Sequence, residues 1–245
     1  MSIHDELLCI ADTKLVMGNW LATTVMNGRC LPDFAAILGM CTTSYGQTRT
    51  IYQFLADGYE EYAELERGRG RGEIRSMNLL DAPPLHWEDL VLTIWLAEQA
   101  TWTMASGFLS DPDQRVAALA RRIGEEAYFH FKYASGWFPV LAGDDGARER
   151  LASVLSTRLP LALDWFGAVD DVDPLHEAGQ RECPVAALRE SFLAGVTEEM
   201  KGVGILVQPG EPATIDEWRP EARRRGPLPE GLFEVIRFKD ETIAH

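Results

Sequence analysis

The sequence predicts an all-α protein built around a bundle of long helices. Apolar residues recur at intervals of three and four through most of its 245 residues, as on the buried face of a helix. Turn signals such as Asn27-Gly28 and Pro83-Pro84 separate these runs. Nowhere does an alternating strand pattern compete with the helical one. The length suits one large domain or two small ones.

Residues 3–26 are predicted to form the first helix, which ends at the Asn27-Gly28 turn. The second begins at Leu31, with Pro32 in its first turn, and runs to residue 56. Gly39 or Gly46 is expected to kink it, because glycine weakens a helix by about 1 kcal/mol relative to alanine. Between residues 34 and 56 it carries neither an acid nor a histidine.

A polar connector follows, and residues 67–75 within it read RGRGRGEIR. Arginine–glycine repeats occur in proteins that bind single-stranded nucleic acid. Here the repeat is short, lacks interleaved aromatic residues and belongs to an acidic chain. We therefore expect a flexible surface loop, whose arginines could contact a phosphate-bearing ligand or an acidic partner.

The third and fourth predicted helices carry the polar residues of greatest interest. Residues 86–109 form the third, with Glu98 on its inward stripe. Ser110 or Asp111 caps the fourth, which ends near Ser135 and Gly136. Spacings of three and four residues place one set of side chains on a single face of this helix: Val116, Leu119, Ile123, Glu126, His130 and Tyr133. That face therefore carries a carboxylate and an imidazole among apolar residues.

Two further helices and a tail complete the prediction. Residues 147–166 form a fifth helix bent at Pro160, residues 170–182 an acidic linker, and residues 184–201 a sixth helix. A short helix is expected at residues 232–238. The chain thus divides into a ferritin-like helical bundle with additional C-terminal helices (residues 1–202) and an extended C-terminal arm (residues 203–245), which packs on the bundle or on a partner.

Charge and composition exclude several classes of function. Lys and Arg number 23 against 38 Asp and Glu, a net charge of −15 that disfavours nucleic acid and anionic membranes as partners. No apolar run reaches the ~18 residues of a membrane span, and no signal peptide is seen, so a cytoplasmic location is expected. The four cysteines form no CxxC pair and are expected to be reduced thiols.

Glu126 and His130 allow two interpretations. Helix-bundle metal sites use a Glu and a His three residues apart on one helix, whereas these two residues are four apart. They still share a face, so they either pair with each other in the core or bind a metal ion. Leaving both buried without a partner would be costly.

A count of possible ligands argues against a complete di-iron site. Such a site needs about four carboxylates and two histidines from four core helices. The third helix offers Glu98, and the fourth offers Glu126 and His130, with Glu125 beside them. The first helix offers at best Asp12, because the amide of Asn19 carries no charge. The second helix offers no ligand. The sequence therefore predicts no metal, catalytic or cofactor-binding residue, and leaves Glu98, Glu126 and His130 as remnants of a degenerate site.

Four segments carry a family resemblance: IADTKLVMGNWL (10–21), SYGQTR (44–49), MNLLDAPPLHWEDL (77–90) and EEAYFHFKYASGW (125–137). Together they resemble the PaaC-type structural subunit of phenylacetyl-CoA epoxidase. Glu126, His130 and Trp137 match that family's E-A-x-x-H…G-W run, and Glu98 matches an acidic position. The chain departs from the family at Asn19, where a Glu is usual, in the second helix, which lacks the usual Asp, and in the arm, which lacks the family's histidines. It resembles a divergent member.

The resemblance implies a fold, a role and a partner. The chain would be a non-catalytic subunit of a multicomponent di-iron oxygenase that acts on an aromatic acyl-CoA, with phenylacetyl-CoA as the family's substrate. A catalytic PaaA-like subunit would hold the di-iron centre, in a heterotetramer or a larger assembly, and this chain would hold no cofactor. Two alternatives stay open: a stand-alone metalloenzyme using Glu98, Glu126 and His130, and a helical interaction protein without an oxygenase partner.

Overall fold

A computed structural model describes residues 1–167, 172–208 and 218–236. Within these ranges the chain is predominantly helical, and its strands form one small antiparallel ribbon that pairs Trp218–Arg219 with Arg224–Arg225. The α-helices of the described residues are α1 (Ile3–Thr24), α2 (Leu31–Leu55), α3 (Tyr59–Ala63), α4 (Trp87–Ser106), α5 (Gln114–Ala142), α6 (Asp145–Asp164), α7 (Pro174–Glu177), α8 (Val185–Gly202) and α9 (Glu230–Ile236).

Four long helices form the central bundle. Helix α1 packs along α2, and α4 packs along α5, while α1 also touches α4 and α2 touches α5. Helix α4 is buried along most of its length because α6 and α8 cover it from outside the bundle. The predicted all-α, ferritin-like bundle is confirmed.

Local sequence signals explain where several helices begin. Ser2 caps α1 and forms a reciprocal capping box with Asp5. Pro32 occupies the first turn of α2, as predicted, and α2 continues through Gly39 and Gly46 as one helix. The Asp144 side chain accepts the Ala147 N–H at the start of α6, and so satisfies a donor that the helix itself leaves free.

Helix α5 differs from the prediction at both ends. Asp113, rather than Ser110 or Asp111, caps it, and it continues past Gly136 to Ala142. Phe138 packs edge-on against Trp95, with 5.3 Å between ring centroids, and is fully buried. Burying such a side chain is worth more than the ~1 kcal/mol that glycine costs a helix, so tertiary packing overrides the local stop signal.

Most of residues 67–75 are exposed at the surface, as expected, and the flexibility of the segment stays a prediction, but the segment is also anchored to the bundle. Arg69 and Ile74 are buried, and Leu228 N–H donates to the backbone carbonyl of Arg71. The connector between α2 and α4 therefore lies against the bundle. A buried charged partner on α1, described below, is the physical reason.

The described part of the C-terminal arm also lies on the bundle. Arg223 donates to the Glu6 carboxylate on α1 and to the carbonyls of Trp165 and Phe166. Arg224 is fully buried and donates to Ser76. Helix α9 begins two residues before its predicted start. The division at residue 202 stays a prediction, and part of the arm and of the acidic linker lies outside the described residues.

Two further expectations concern the chain as a whole. All four cysteines are free thiols, and Cys9 and Cys41 are buried. In the described ranges, every helix is too short or too polar to cross a membrane.

Candidate functional site

Glu98 lies at the centre of the bundle, and both of its carboxylate oxygens are engaged. Lys14 Nζ, from α1, is 2.5 Å from Oε2, and His130 Nδ1, from α5, is 2.6 Å from Oε1. Lys14 and Glu98 are fully buried, and His130 is 3% exposed. Three helices thus each contribute one polar side chain to a cluster that we call the Lys14–Glu98–His130 triad.

The electrostatics of the triad keep Glu98 ionised. Burial alone would raise the pKa of Glu98, but the Lys14 ammonium and the His130 ring outweigh it and lower this pKa to about 2. Because an ionised carboxylate only accepts hydrogen bonds, His130 Nδ1 carries the proton and donates it. The cluster is therefore a charge-neutralised polar core in which a protein ammonium is the cation nearest to Glu98.

Glu126 does not join this cluster, so the predicted Glu126–His130 pair is wrong. The side chain of Glu126 is 27% exposed; Gln47 Nε2 donates to it at 2.8 Å and Arg122 Nε at 2.9 Å. The buried stripe of α5 follows Ala127 and His130 rather than Glu126. Glu126 consequently lies at the edge of the stripe and faces α2, as does Tyr133, which donates to Asp33.

Asp12 belongs to a second buried cluster. Arg69 donates both terminal nitrogens to its carboxylate at 2.8 and 2.7 Å, and Tyr52 donates its hydroxyl at 2.5 Å. The backbone N–H of Arg75 donates to it as well, at 2.7 Å. Burial and the Asp12 charge raise the pKa of Tyr52 well above its usual value, so its hydroxyl keeps the proton that it donates.

The remaining candidates of the first and fourth helices take no part in either cluster. Asn19 donates its side-chain amide to the Leu15 carbonyl, one turn back in α1. Glu125 is exposed. Of the predicted remnants, the structure brings together Glu98 and His130 and holds Glu126 apart.

Sequence reasoning missed Lys14, although a signal was present. Leu7, Lys14 and Leu21 are seven residues apart, so they lie on one stripe of α1, and all three are buried. A lysine on an otherwise apolar stripe needs an anionic partner, and Glu98 was already predicted to point inward. No comparable signal marked Arg69, because its burial depends on the path of the connector.

The comparisons with known proteins agree with this architecture. Residues 2–218 match the family described as "Phenylacetic acid catabolic protein". None of the curated proteins matches the chain.

Proposed function

Because the chain belongs to the phenylacetic acid catabolic protein family, we propose that it is the non-catalytic structural subunit of a multicomponent di-iron oxygenase. Its partner is a catalytic PaaA-like subunit, which holds the di-iron centre and acts on an aromatic acyl-CoA such as phenylacetyl-CoA. The present chain supports that subunit and performs no chemistry itself. Components of phenylacetate oxygenase systems work together with partner subunits.

The Lys14 ammonium is the observation that supports this proposal. It lies 2.5 Å from Glu98, a fully buried carboxylate on the inward face of α4. One ammonium supplies the single positive charge that Glu98 requires. Two iron ions supply several charges, which about four carboxylates and two histidines must balance.

The other acids near the centre also fit a di-iron site poorly. Glu126 is held by Gln47 and Arg122, and Asp12 by Arg69 and Tyr52. A di-iron centre would require these carboxylates to leave their partners and converge on Glu98. The same argument weighs against a stand-alone site made of Glu98, Glu126 and His130.

Metal analysis of the isolated chain tests the proposal directly. The purified protein would be loaded with ferrous iron without oxygen, freed of excess metal and analysed for iron by mass spectrometry. We expect far less than one iron per chain. Two irons per chain would contradict the proposal.

Turnover of the assembled complex provides a second test. In the Lys14→Met/Glu98→Gln double variant, the triad loses its charges but keeps most of its volume. If the chain is structural, the complex should convert phenylacetyl-CoA at a rate within a few-fold of the wild-type rate. A loss on the order of 100-fold in a complex of unchanged mass would mean that the triad takes part in catalysis.

A further inference from the structure

The outer sides of α2 and α5 form a continuous wall of the bundle. Tyr133 donates to Asp33 at 2.9 Å, and Gln47 donates to Glu126 at 2.8 Å. The order of these residues along the two helices makes the helices antiparallel neighbours. We call the solvent-facing side of this helix pair the α2–α5 wall.

Large apolar side chains are exposed on this wall. On α5, Phe129 is 71% exposed and Val140 61%. Phe129 falls within the α5 segment bracketed by the two cross-links, and Val140 lies about two turns beyond Tyr133 on α5. Monomeric proteins seldom expose several large apolar side chains on one face, and such patches mark interaction sites.

The wall is large enough to hold a stable partner. Helix α2 has 25 residues, and at 1.5 Å per residue it is about 37 Å long. Two neighbouring helices, each ~10 Å across, make the wall about 20 Å wide. The resulting ~750 Å² agrees with the ~800 Å² that each protein contributes to an interface of standard size.

The charge of the wall is opposite to that of the chain. Although acids outnumber bases by 38 to 23 overall, the exposed charged side chains of α2 and α5 include one acid, Glu125. The bases exposed on α5 are Arg115, Arg121, Arg122 and Lys132, of which Arg115 is ion-paired with Asp113 and Arg122 with Glu126. A partner with acidic residues around an apolar centre would complement this surface.

We propose that the α2–α5 wall is the surface that binds the partner subunit. The occupant is a second, different helical protein, which lays its own pair of helices across the wall and surrounds an apolar contact at Phe129 with acidic side chains. This inference rests on the proposed function, because the PaaA-like subunit is the partner that it invokes. A second copy of this chain fits less well, since its surface would have to present the same excess of bases.

Two glycines allow a sharp test. An added Cβ at Gly39 on α2 meets nothing within 4 Å, and the same holds for Gly195 on α8. Gly39→Gln therefore adds a side chain to the wall without a clash inside the chain and favours the helix by replacing glycine. Gly195→Gln makes the same change on another surface and is the matched control.

The second pair of variants removes the apolar contact. Phe129→Glu places an acid at the centre of the wall, and Leu206→Glu makes the same kind of change at a side chain that is 81% exposed elsewhere. Each variant would be co-expressed with a PaaA-like subunit from the same organism and purified through a tag on that subunit. Light scattering would give the mass of the complex, and thermal unfolding would confirm that each free variant folds.

We expect Gly39→Gln and Phe129→Glu to weaken binding at least tenfold, while both controls bind like the wild type. Equal binding by all four variants would overturn the wall as the interface. A homodimer of the wild-type chain that the two wall variants abolish would overturn the identity of the occupant. If the wild-type chain itself fails to bind, the proposed function fails, and that result is distinct from the other two.

Discussion

A buried lysine without a carboxylate partner would be costly, and so would a buried glutamate without a cation. Lys14 and Glu98 avoid both costs by lying in contact, and His130 binds the oxygen of Glu98 that Lys14 leaves free. Neither charge reaches water, because both side chains are fully buried. At the scale of single residues, the stability of the bundle centre therefore depends on the pair being complete.

Lys14→Met should be strongly destabilising. The change removes the ammonium and leaves the Glu98 carboxylate buried with only His130 to balance it, a loss of about 3–5 kcal/mol in the free energy of unfolding. Urea titrations followed by circular dichroism would measure this loss.

The Lys14→Met/Glu98→Gln double variant is the control for this prediction. It removes both charges, so most of the lost stability should return. A cost below 1 kcal/mol for Lys14→Met alone would show that the pair contributes little, and would contradict the role given to it here.

The sequence predicted the inward position of Glu98 and His130 but not their partnership. Helical spacing identifies the face on which a residue lies, and both residues lie on buried faces. Which residue lies opposite depends on how far each helix is shifted along its neighbour, and spacing within one helix carries no information about that. Glu126 shows the same limit of the spacing argument. It is adjacent in sequence to the buried Ala127, and that step of one residue, about 100° around the helix, is enough to move it off the buried stripe.

The connector shows how one residue can anchor a segment to the bundle. Its arginine–glycine composition resembles that of a flexible loop, yet Arg69 reaches Asp12 on α1 and packs over the Tyr52 ring at 5.2 Å. Local composition predicts the freedom of the isolated segment. The buried acid that captures Arg69 lies 57 residues away in the sequence, beyond the reach of any local pattern.

Arg69→Ala should destabilise the protein by about 3–5 kcal/mol, because it leaves the Asp12 carboxylate buried without its cation. Arg71→Ala, two residues along the same segment, is the matched control. The Arg71 side chain is exposed, and the hydrogen bond from Leu228 uses its backbone carbonyl, so we expect a change within about 0.5 kcal/mol.

Chemical denaturation of both variants would provide the comparison, and limited proteolysis would show whether the connector has detached. Similar stabilities for Arg69→Ala and Arg71→Ala would mean that the buried contact does not hold the segment. Faster cleavage within residues 67–75 is expected in Arg69→Ala alone.

Across the whole molecule, buried acids join segments that are distant in the sequence. Glu98 links α4 to α1 and α5, Asp12 links α1 to the connector, and Glu6 links α1 to the arm through Arg223. The bundle, the connector and the arm are therefore joined to one another by buried ion pairs.

The stability of the protein should consequently fall in acid. The pKa of Glu98 is lowered from 4.5 to about 2 in the folded state, and that of Asp5, which pairs with Arg75, from 3.8 to about 2. At pH values between the folded and unfolded pKa, the unfolded chain binds more protons than the native one. The stabilisation from these groups is thus complete above about pH 5 and is lost as the pH falls from 4.5 towards 2.

Asp81 and Asp164 act in the opposite direction, because burial raises the pKa of each in the folded state. Urea titrations at intervals from pH 6 to pH 3, at low protein concentration because the pI is near 4.7, would measure the sum. We expect a net decrease in the free energy of unfolding, with a shallower slope in Lys14→Met/Glu98→Gln, which lacks the Glu98 carboxylate. Equal slopes in the two proteins would show that Glu98 does not titrate as the triad requires.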